Sequence, residues 1–571
     1  MRDAYQDRPR RPLRETVCEM DRDILRLVMR RHNMLKRMAG PKGHLDNREE
    51  KQIRESWESA VAKVSNDPKL SGLFFSLMQE VTFLPKPGED GEQRREAFNL
   101  APVQQPVKLD MDAPASCRAT RAWLSLAAGS GQHVKLAGSL MNDAVFDCLK
   151  MFNQMGASII RDGDAVEALP AAPCQTPDKV IFSGASSFNF YLALGHYLGR
   201  PSHAKFSGDS QMRMEGLDAV VSFVPQLGAR LVHVIPKGEG LPVRIESSGL
   251  LPDAVDFPDA VPFEFIEGML LAAPFYEKPV VFRFGSHPDR ARIEERILPL
   301  LAACGAQVEG DCENLHITPS KLALPREPKL AMEPELAIFL LALAPALSGR
   351  VRLAGQWPGT ADAEAAKDLF RQAGLQIEAG PAEASLQCGA ELRLPEAGLE
   401  LPEALPAAWL PLAMALTCLG ALKNKQARMP RGCEPGSEGF AEAEAFARAC
   451  GLEIQEDGTV VWAKPIALKR EDGEGGEREE LVTIHQVWPA PSAAWACALA
   501  VCACARPEPH HGFRLNNPGI LTTLYPGFWA LYNALPEPQI RKPEAQPQPK
   551  ERRRIRTNAQ AQLTPREEDD E

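Results

Sequence analysis

Five glycines, Gly156, Gly228, Gly305, Gly374 and Gly451, recur at intervals of 72, 77, 69 and 77 residues, and the same kind of segment surrounds each. Before each glycine runs a helical pattern. In the first, 143–155, Val145, Leu149 and Phe152 share one face at helical spacing. After each comes a short β-type run: Ile159-Ile160, then Ala-Arg-Leu-Val, Ala-Gln-Val, Leu-Gln-Ile and Leu-Glu-Ile. Glycine adopts the left-handed backbone that closes a helix, so the repeat predicts helix, glycine stop and strand five times over.

A second set of helices, apolar on all sides, alternates with these: 122–128, 190–198, 265–273, 336–347, 410–422 and 493–505. A period near 70 exceeds the ~20 to 50 residues of solenoid repeats, so each copy reads as a complete two-helix α/β unit. Six such units suit two lobes of three, about 121–322 and 107–120 plus 323–536. At 571 residues the chain exceeds the ~250 to 300 at which single cores stop growing, so further domains are expected.

Residues 14–84 differ, with a purely helical pattern. Met20, Ile24, Leu27, Val28, His32 and Leu35 form one apolar stripe, and further helices are expected over 47–64 and 70–81. Residues 1–13 and the 537–571 tail read as disordered, 85–106 as a linker, and 469–480 as an exposed hairpin insertion. The fold class is therefore an all-α N-terminal module followed by a two-lobed α/β fold.

A net charge of −11 argues against general nucleic-acid binding while leaving room for an anion in a local basic cleft. The first residues lack the apolar core of a secretory signal, and no apolar run reaches the ~20 residues of a membrane span. A cytoplasmic protein with no membrane partner is expected. Thirteen scattered cysteines without Cys-x-x-Cys or His-x-x-x-His spacing read as reduced, buried thiols; no metal and no cofactor are expected.

In the helical module, Leu13-Arg14-Glu15, Asp21-Arg-Asp-Ile-Leu-Arg-Leu-Val-Met-Arg-Arg31, Lys42 and Arg48-Glu49 stand at the intervals of the all-α chorismate mutase family, which the module resembles. The resemblance implies that Arg14 and Arg31 clamp the carboxylates of chorismate, Lys42 donates to the ether oxygen, Glu49 binds the ring hydroxyl, and the module forms a homodimer. Guanidinium groups suit this work because their fork matches a carboxylate. Pro41 interrupts the helix just before Lys42.

The remainder, 107–536, carries Thr120-Arg121-Ala122, Asn142-Asp143, an apolar 266–274 ending in Pro274, and Leu524-Tyr525-Pro526-Gly-Phe528. On these it resembles the EPSP synthase (3-phosphoshikimate 1-carboxyvinyltransferase) family. That family moves a carboxyvinyl group from phosphoenolpyruvate to shikimate-3-phosphate in aromatic amino acid biosynthesis. Such chemistry needs cations around a trianionic cosubstrate and groups that move protons on and off the methylene carbon.

Several motif positions have changed. The lysine of Lys-Ser-x-Ser-Asn-Arg is Ser116, the arginine after the glycine-rich turn is Phe190, and the phosphate-binding Ser-Ser-Gln is Pro262-Phe263-Glu264. The tyrosine of Ser-x-Pro-Tyr is Asp289, the catalytic Asp motif offers Glu333 one position out of register, and the closing lysine is Thr523. What remains to bind substrate is Arg121, Arg213, Ser286, Glu333, Arg431 and Glu434, with Arg118 and Lys108 as shifted cations that could rebuild the site. The losses concentrate where phosphoenolpyruvate would be neutralised, so the transferase site reads as degenerate. The resemblance implies chorismate mutase and/or carboxyvinyltransferase activity; the alternative is a non-catalytic, metabolite-binding pseudoenzyme.

Overall fold

The computed structural model describes eight residues of an N-terminal unit, 1–94, and, in a second unit, 98–536 apart from 101, 103–104, 175–179, 236–237, 388–391, 403–405, 464–465, 472–476, 483–486 and 506–512. Leu27, Arg30, Arg31, Met34, Ile53, Ser56, Trp57 and Ser59 are all helical, and Arg31 is half-buried. Arg14, Pro41, Lys42, Glu49, the linker up to 97, and the tail lie outside the described residues.

In the second unit all five repeat glycines turn in the left-handed region, with φ of 98° at Gly156, 69° at Gly228 and Gly305, 75° at Gly374 and 74° at Gly451. Strands follow at Ser158–Asp162, Ala229–His233, Gln307–Gly310 and Leu452–Ile454. After Gly374 the expected strand is absent: Leu375 to Ile377 are irregular, and only Glu378–Ala379 pairs. The six apolar helices are Cys117–Ser130, Ser187–Leu198, Phe263–Ala272, Pro334–Leu347, Pro406–Leu422 and Ala493–Ala503. Ile466–Glu471 and Glu477–Val482 pair antiparallel where a hairpin was expected.

The sheets carry the repeat at the level of pairing. In one, Ile181–Phe182 runs parallel to Pro201–Ser207, which pairs antiparallel with Val243–Ser248, itself antiparallel to Ala229–His233. The same succession of one parallel and two antiparallel pairings links Ala254–Asp256, Val280–Arg283, Asn314–Thr318 and Gln307–Gly310. It recurs in Lys108–Asp112, Arg350–Ala354, Glu383–Gln387 and Glu378–Ala379. In the first two sheets the parallel pair is joined through one crossing helix, Ser187–Leu198 or Phe263–Ala272, whereas in the third the whole stretch 113–349 lies between the paired strands.

Buried residues form two apolar clusters, one drawn from 117–322 and one from 100–111 together with 332–535. Within the first, the Ser187–Leu198 and Phe263–Ala272 helices cross at a pair of glycines. A Cβ on Gly195 would stand 2.2 Å from the Gly268 carbonyl oxygen, and one on Gly268 would stand 2.3 Å from that of Tyr191. Backbone lies against backbone there, so no side chain can move aside. Gly195→Val is therefore expected to cost ~2 kcal/mol or more, read as a lower urea midpoint at unchanged slope. A midpoint equal to wild type would contradict this packing.

Eleven described cysteines are free thiols, ten of them buried. Among the described residues no helix is long and apolar enough to cross a membrane, and no three His, Cys, Asp or Glu side chains group as metal ligands.

Candidate functional site

The chain passes between the two clusters at 113–117 and 331–333, and these segments bond to each other. The Ser116 amide donates to the Ala331 carbonyl at 2.8 Å, and the Glu333 amide to the Pro114 carbonyl at 2.8 Å. Glu333 stands just before the Pro334–Leu347 helix, whose first residue needs no N–H donor and is a proline. Its Oε2 accepts the Cys117 amide at 2.7 Å, so the carboxylate sits at the opening turn of the Cys117–Ser130 helix. Removal from water, then the neighbouring Glu335 carboxylate, pushes the Glu333 carboxyl up from 4.5 to about 7. A carboxyl at that value is populated in both protonation states near neutrality, as a group that gives and takes protons requires.

Arg121 lies one turn further along the same helix. Its Nε donates to the Cys117 carbonyl at 3.1 Å, and its Nη1 donates to Ser186 Oγ at 2.8 Å and Asn189 Oδ1 at 3.3 Å. Ser186 caps the Ser187–Leu198 helix, so the guanidinium is held at that helix's N-terminus. All three partners are neutral, and no described carboxylate forms an ion pair with Arg121. The charge stays available to a ligand.

Arg118 differs. Its Nε donates to Glu267 Oε2 at 3.0 Å, its Nη1 lies 3.5 Å from Glu264, and its guanidinium stacks 4.4 Å from the Phe188 ring centroid. Glu267 is 3 % exposed. A buried carboxylate without a cation would cost several kcal/mol, so this pair must stay joined. Arg296 is likewise bonded to Asp362 at 2.5 Å and Arg292 to Asp289 at 3.0 Å. Burial, then repulsion from Arg118, lowers the Arg296 pKa, which places these cations within one field.

At the far side of Cys117, burial raises its thiol, which donates to Asn142 Oδ1 at 3.4 Å. Asn142 Nδ2 donates to the Thr523 carbonyl at 2.9 Å, tying the two clusters together.

Arg121 and Glu333 thus converge on Cys117. Arg213 is exposed on the Ser210–Met214 helix, Ser286 bonds both Asp259 carboxylate oxygens at 3.2 Å, and Arg431 is exposed. The Glu434 carboxylate accepts the Gly432 amide at 3.2 Å. No described hydrogen bond or ion pair joins these four to Arg121 or Glu333. Lys108 is exposed on its strand, with its amide bonded to the Pro536 carbonyl at 3.0 Å. Glu267, Phe188, Arg296 and Asp362 were not singled out from sequence. Only the Arg292/Arg296 helical spacing could have pointed to one of them, since the Arg118–Glu267 partners are 149 residues apart.

A family model for EPSP synthase (3-phosphoshikimate 1-carboxyvinyltransferase) matches residues 102–424. The chain is 24 % identical over 258 residues to 3-phosphoshikimate 1-carboxyvinyltransferase 2 of Halalkalibacterium halodurans, covering 44 % of this chain and 57 % of that relative. It is 25 % identical over 203 residues to the 3-phosphoshikimate 1-carboxyvinyltransferase of Rhodopseudomonas palustris strain TIE-1, covering 35 % of this chain and 44 % of that one. The matches thus span about half the length of these relatives. EPSP synthase from Acinetobacter baumannii superposes with a TM-score of 0.56 at 15 % identity, over 76 % of this chain and 97 % of that one. The enolpyruvyl transferase NikO from Streptomyces tendae gives 0.52 at 16 %, over 75 % and 95 %. With more than half its residues matched by the family model and the same fold in both solved structures, the chain belongs to the EPSP synthase family.

Proposed function

We propose that the α/β unit is a carboxyvinyltransferase of aromatic amino acid biosynthesis acting on a small anionic ring compound, with Arg121 as anion anchor and Glu333 as the proton-transfer group. The observation that carries this is the placement of an ionisable carboxyl near neutrality beside a guanidinium with only neutral partners. In the addition step Glu333 would protonate the methylene carbon of phosphoenolpyruvate as the acceptor hydroxyl attacks the adjacent carbon, the hydroxyl proton passing to the phosphate. In the elimination step it would take a proton from the resulting methyl group as inorganic phosphate leaves, restoring the vinyl double bond. Arg213, Ser286, Arg431 and Glu434 stay in this proposal as substrate-binding candidates.

A second reading, a binding protein without turnover, is favoured by Arg118: Glu264 and Glu267 already engage the cation best placed to replace the lost lysine. Phosphate release from shikimate-3-phosphate plus phosphoenolpyruvate separates the two. Release that falls with Arg121→Met supports the transferase, whereas binding of shikimate-3-phosphate without release supports the second reading.

For the N-terminal unit we propose chorismate rearrangement to prephenate by a homodimer, on the resemblance of Arg14, Arg31, Lys42 and Glu49. Chorismate turnover is expected to drop ~100-fold or more in Arg31→Ala, since a carboxylate loses its two-pronged clamp. Equal turnover in wild type and variant would end this assignment.

A further inference from the structure

Two guanidiniums stand against one ring. Arg118 and Arg121 lie three residues apart on the Cys117–Ser130 helix, a spacing that puts both on one face, and their Cζ atoms are 4.4 and 4.9 Å from the Phe188 ring centroid. They are therefore no further apart than those two distances laid end to end. Two forks so placed suit a ligand with two anionic groups.

The two carboxylates on Arg118 hold it unequally. Its Nε and Nη2 both bond Glu267, which is buried, whereas Nη1 lies 3.5 Å from Glu264, whose side chain is 32 % exposed. The first contact must persist because it neutralises a buried charge. The second is a long, partly hydrated ion pair of small worth. Nη1 is thus the Arg118 nitrogen that a ligand can win, and Glu264 is its competitor. The neighbouring cations are no freer. Arg292, which shares the Phe263 ring with Arg118, pairs with Asp289, and Arg296 pairs with Asp362.

Arg121 alone can hold a carboxylate. A phosphate ester brings up to two further charges, and on its way to Nη1 it meets Glu264 as a like charge. Hydroxyls donate to carboxylates and meet no such cost. We propose that Glu264 is a specificity-determining residue of the junction, occupying Arg118 Nη1 so that a hydroxylated ring carboxylate is favoured at Arg121 over its phosphate ester. The inference rests on Arg121 as the anion anchor of the proposed function. The same competition lowers affinity for any phosphate-bearing ligand of the junction, phosphoenolpyruvate included.

The test is calorimetric titration of the full chain with shikimate-3-phosphate and with shikimate, which has the same ring and carboxylate without the phosphate. Glu264→Gln should tighten shikimate-3-phosphate by ~10-fold or more and change shikimate by less than ~3-fold, because the amide keeps the shape, sheds the charge and releases Nη1. Glu264→Ala should shift the ratio the same way, which shows that the gain comes from Arg118 rather than from a new amide donor. Glu215, a carboxylate close enough to feel the Glu264 charge, has no described bond to Arg118, so Glu215→Gln should shift the ratio by less than ~3-fold.

Equal tightening of both ligands by Glu264→Gln, no gain for the phosphate ester, or an equal gain in Glu215→Gln would overturn the proposal. Arg121→Met in the same titrations separates it from the reading beneath it. Weaker binding of both ligands there, with no effect of Glu264→Gln, overturns the selectivity alone, whereas unchanged binding in Arg121→Met overturns both.

Discussion

Glu333→Gln is expected to lower phosphate release by roughly 10²- to 10⁴-fold, the range that a general acid–base group supplies. Glutamine can still accept the Cys117 amide, so the junction should keep its shape while losing the proton carrier. The residual rate should be flat across the region near pH 7 in which wild-type activity titrates.

Stability supplies an independent reading of the same group. The folded-state pKa of about 7 stands above the ordinary 4.5, so the folded protein holds the proton to higher pH than the unfolded chain does. The contribution is fully present below about 4.5 and is lost as pH rises through about 7. Carrying no such proton, Glu333→Gln should gain on wild type by at most ~3 kcal/mol between pH 5 and 8, measured by urea unfolding at each pH. Parallel curves for the two proteins, or an unchanged rate, would remove Glu333 from the chemistry.

Arg121→Met should weaken shikimate-3-phosphate binding by ~100-fold, about 3 kcal/mol, the scale of a hydrogen-bonded charge pair that loses one partner. Calorimetric titration reads this directly. Arg121→Lys should recover only part of the loss, because an ammonium cannot span Ser186, Asn189 and a ligand as the guanidinium fork does. Binding by Arg121→Met as tight as wild type would move the anion site elsewhere.

Much of the fold was legible because it is written locally. A glycine after an amphipathic helix needs nothing distant to turn left-handed, and all five repeat glycines do so. The irregular run after Gly374 shows the limit of that reasoning, since strand pairing depends on which edge lies alongside. In the site, Glu333 could be found because it stands one position from an acidic motif residue. Its proximity to Arg121 followed from no local pattern. The Arg118 charge was visible, but its neutralisation was not, because Glu267 reaches it only after the chain has folded through 149 intervening residues.

One contact joins the two clusters through charge. Arg296, in the segment packed into the first cluster, bonds Asp362 at the start of the Ala361–Gln372 helix of the second, and Glu295 Oε2 accepts the Ala361 amide at 3.3 Å. Such a clasp is ionic and only partly shielded, so mobile ions weaken it, whereas the backbone bonds at 114–117 and 331–333 feel them little. Rising ionic strength should therefore loosen the hold between the two clusters at this clasp while the backbone junction stays closed.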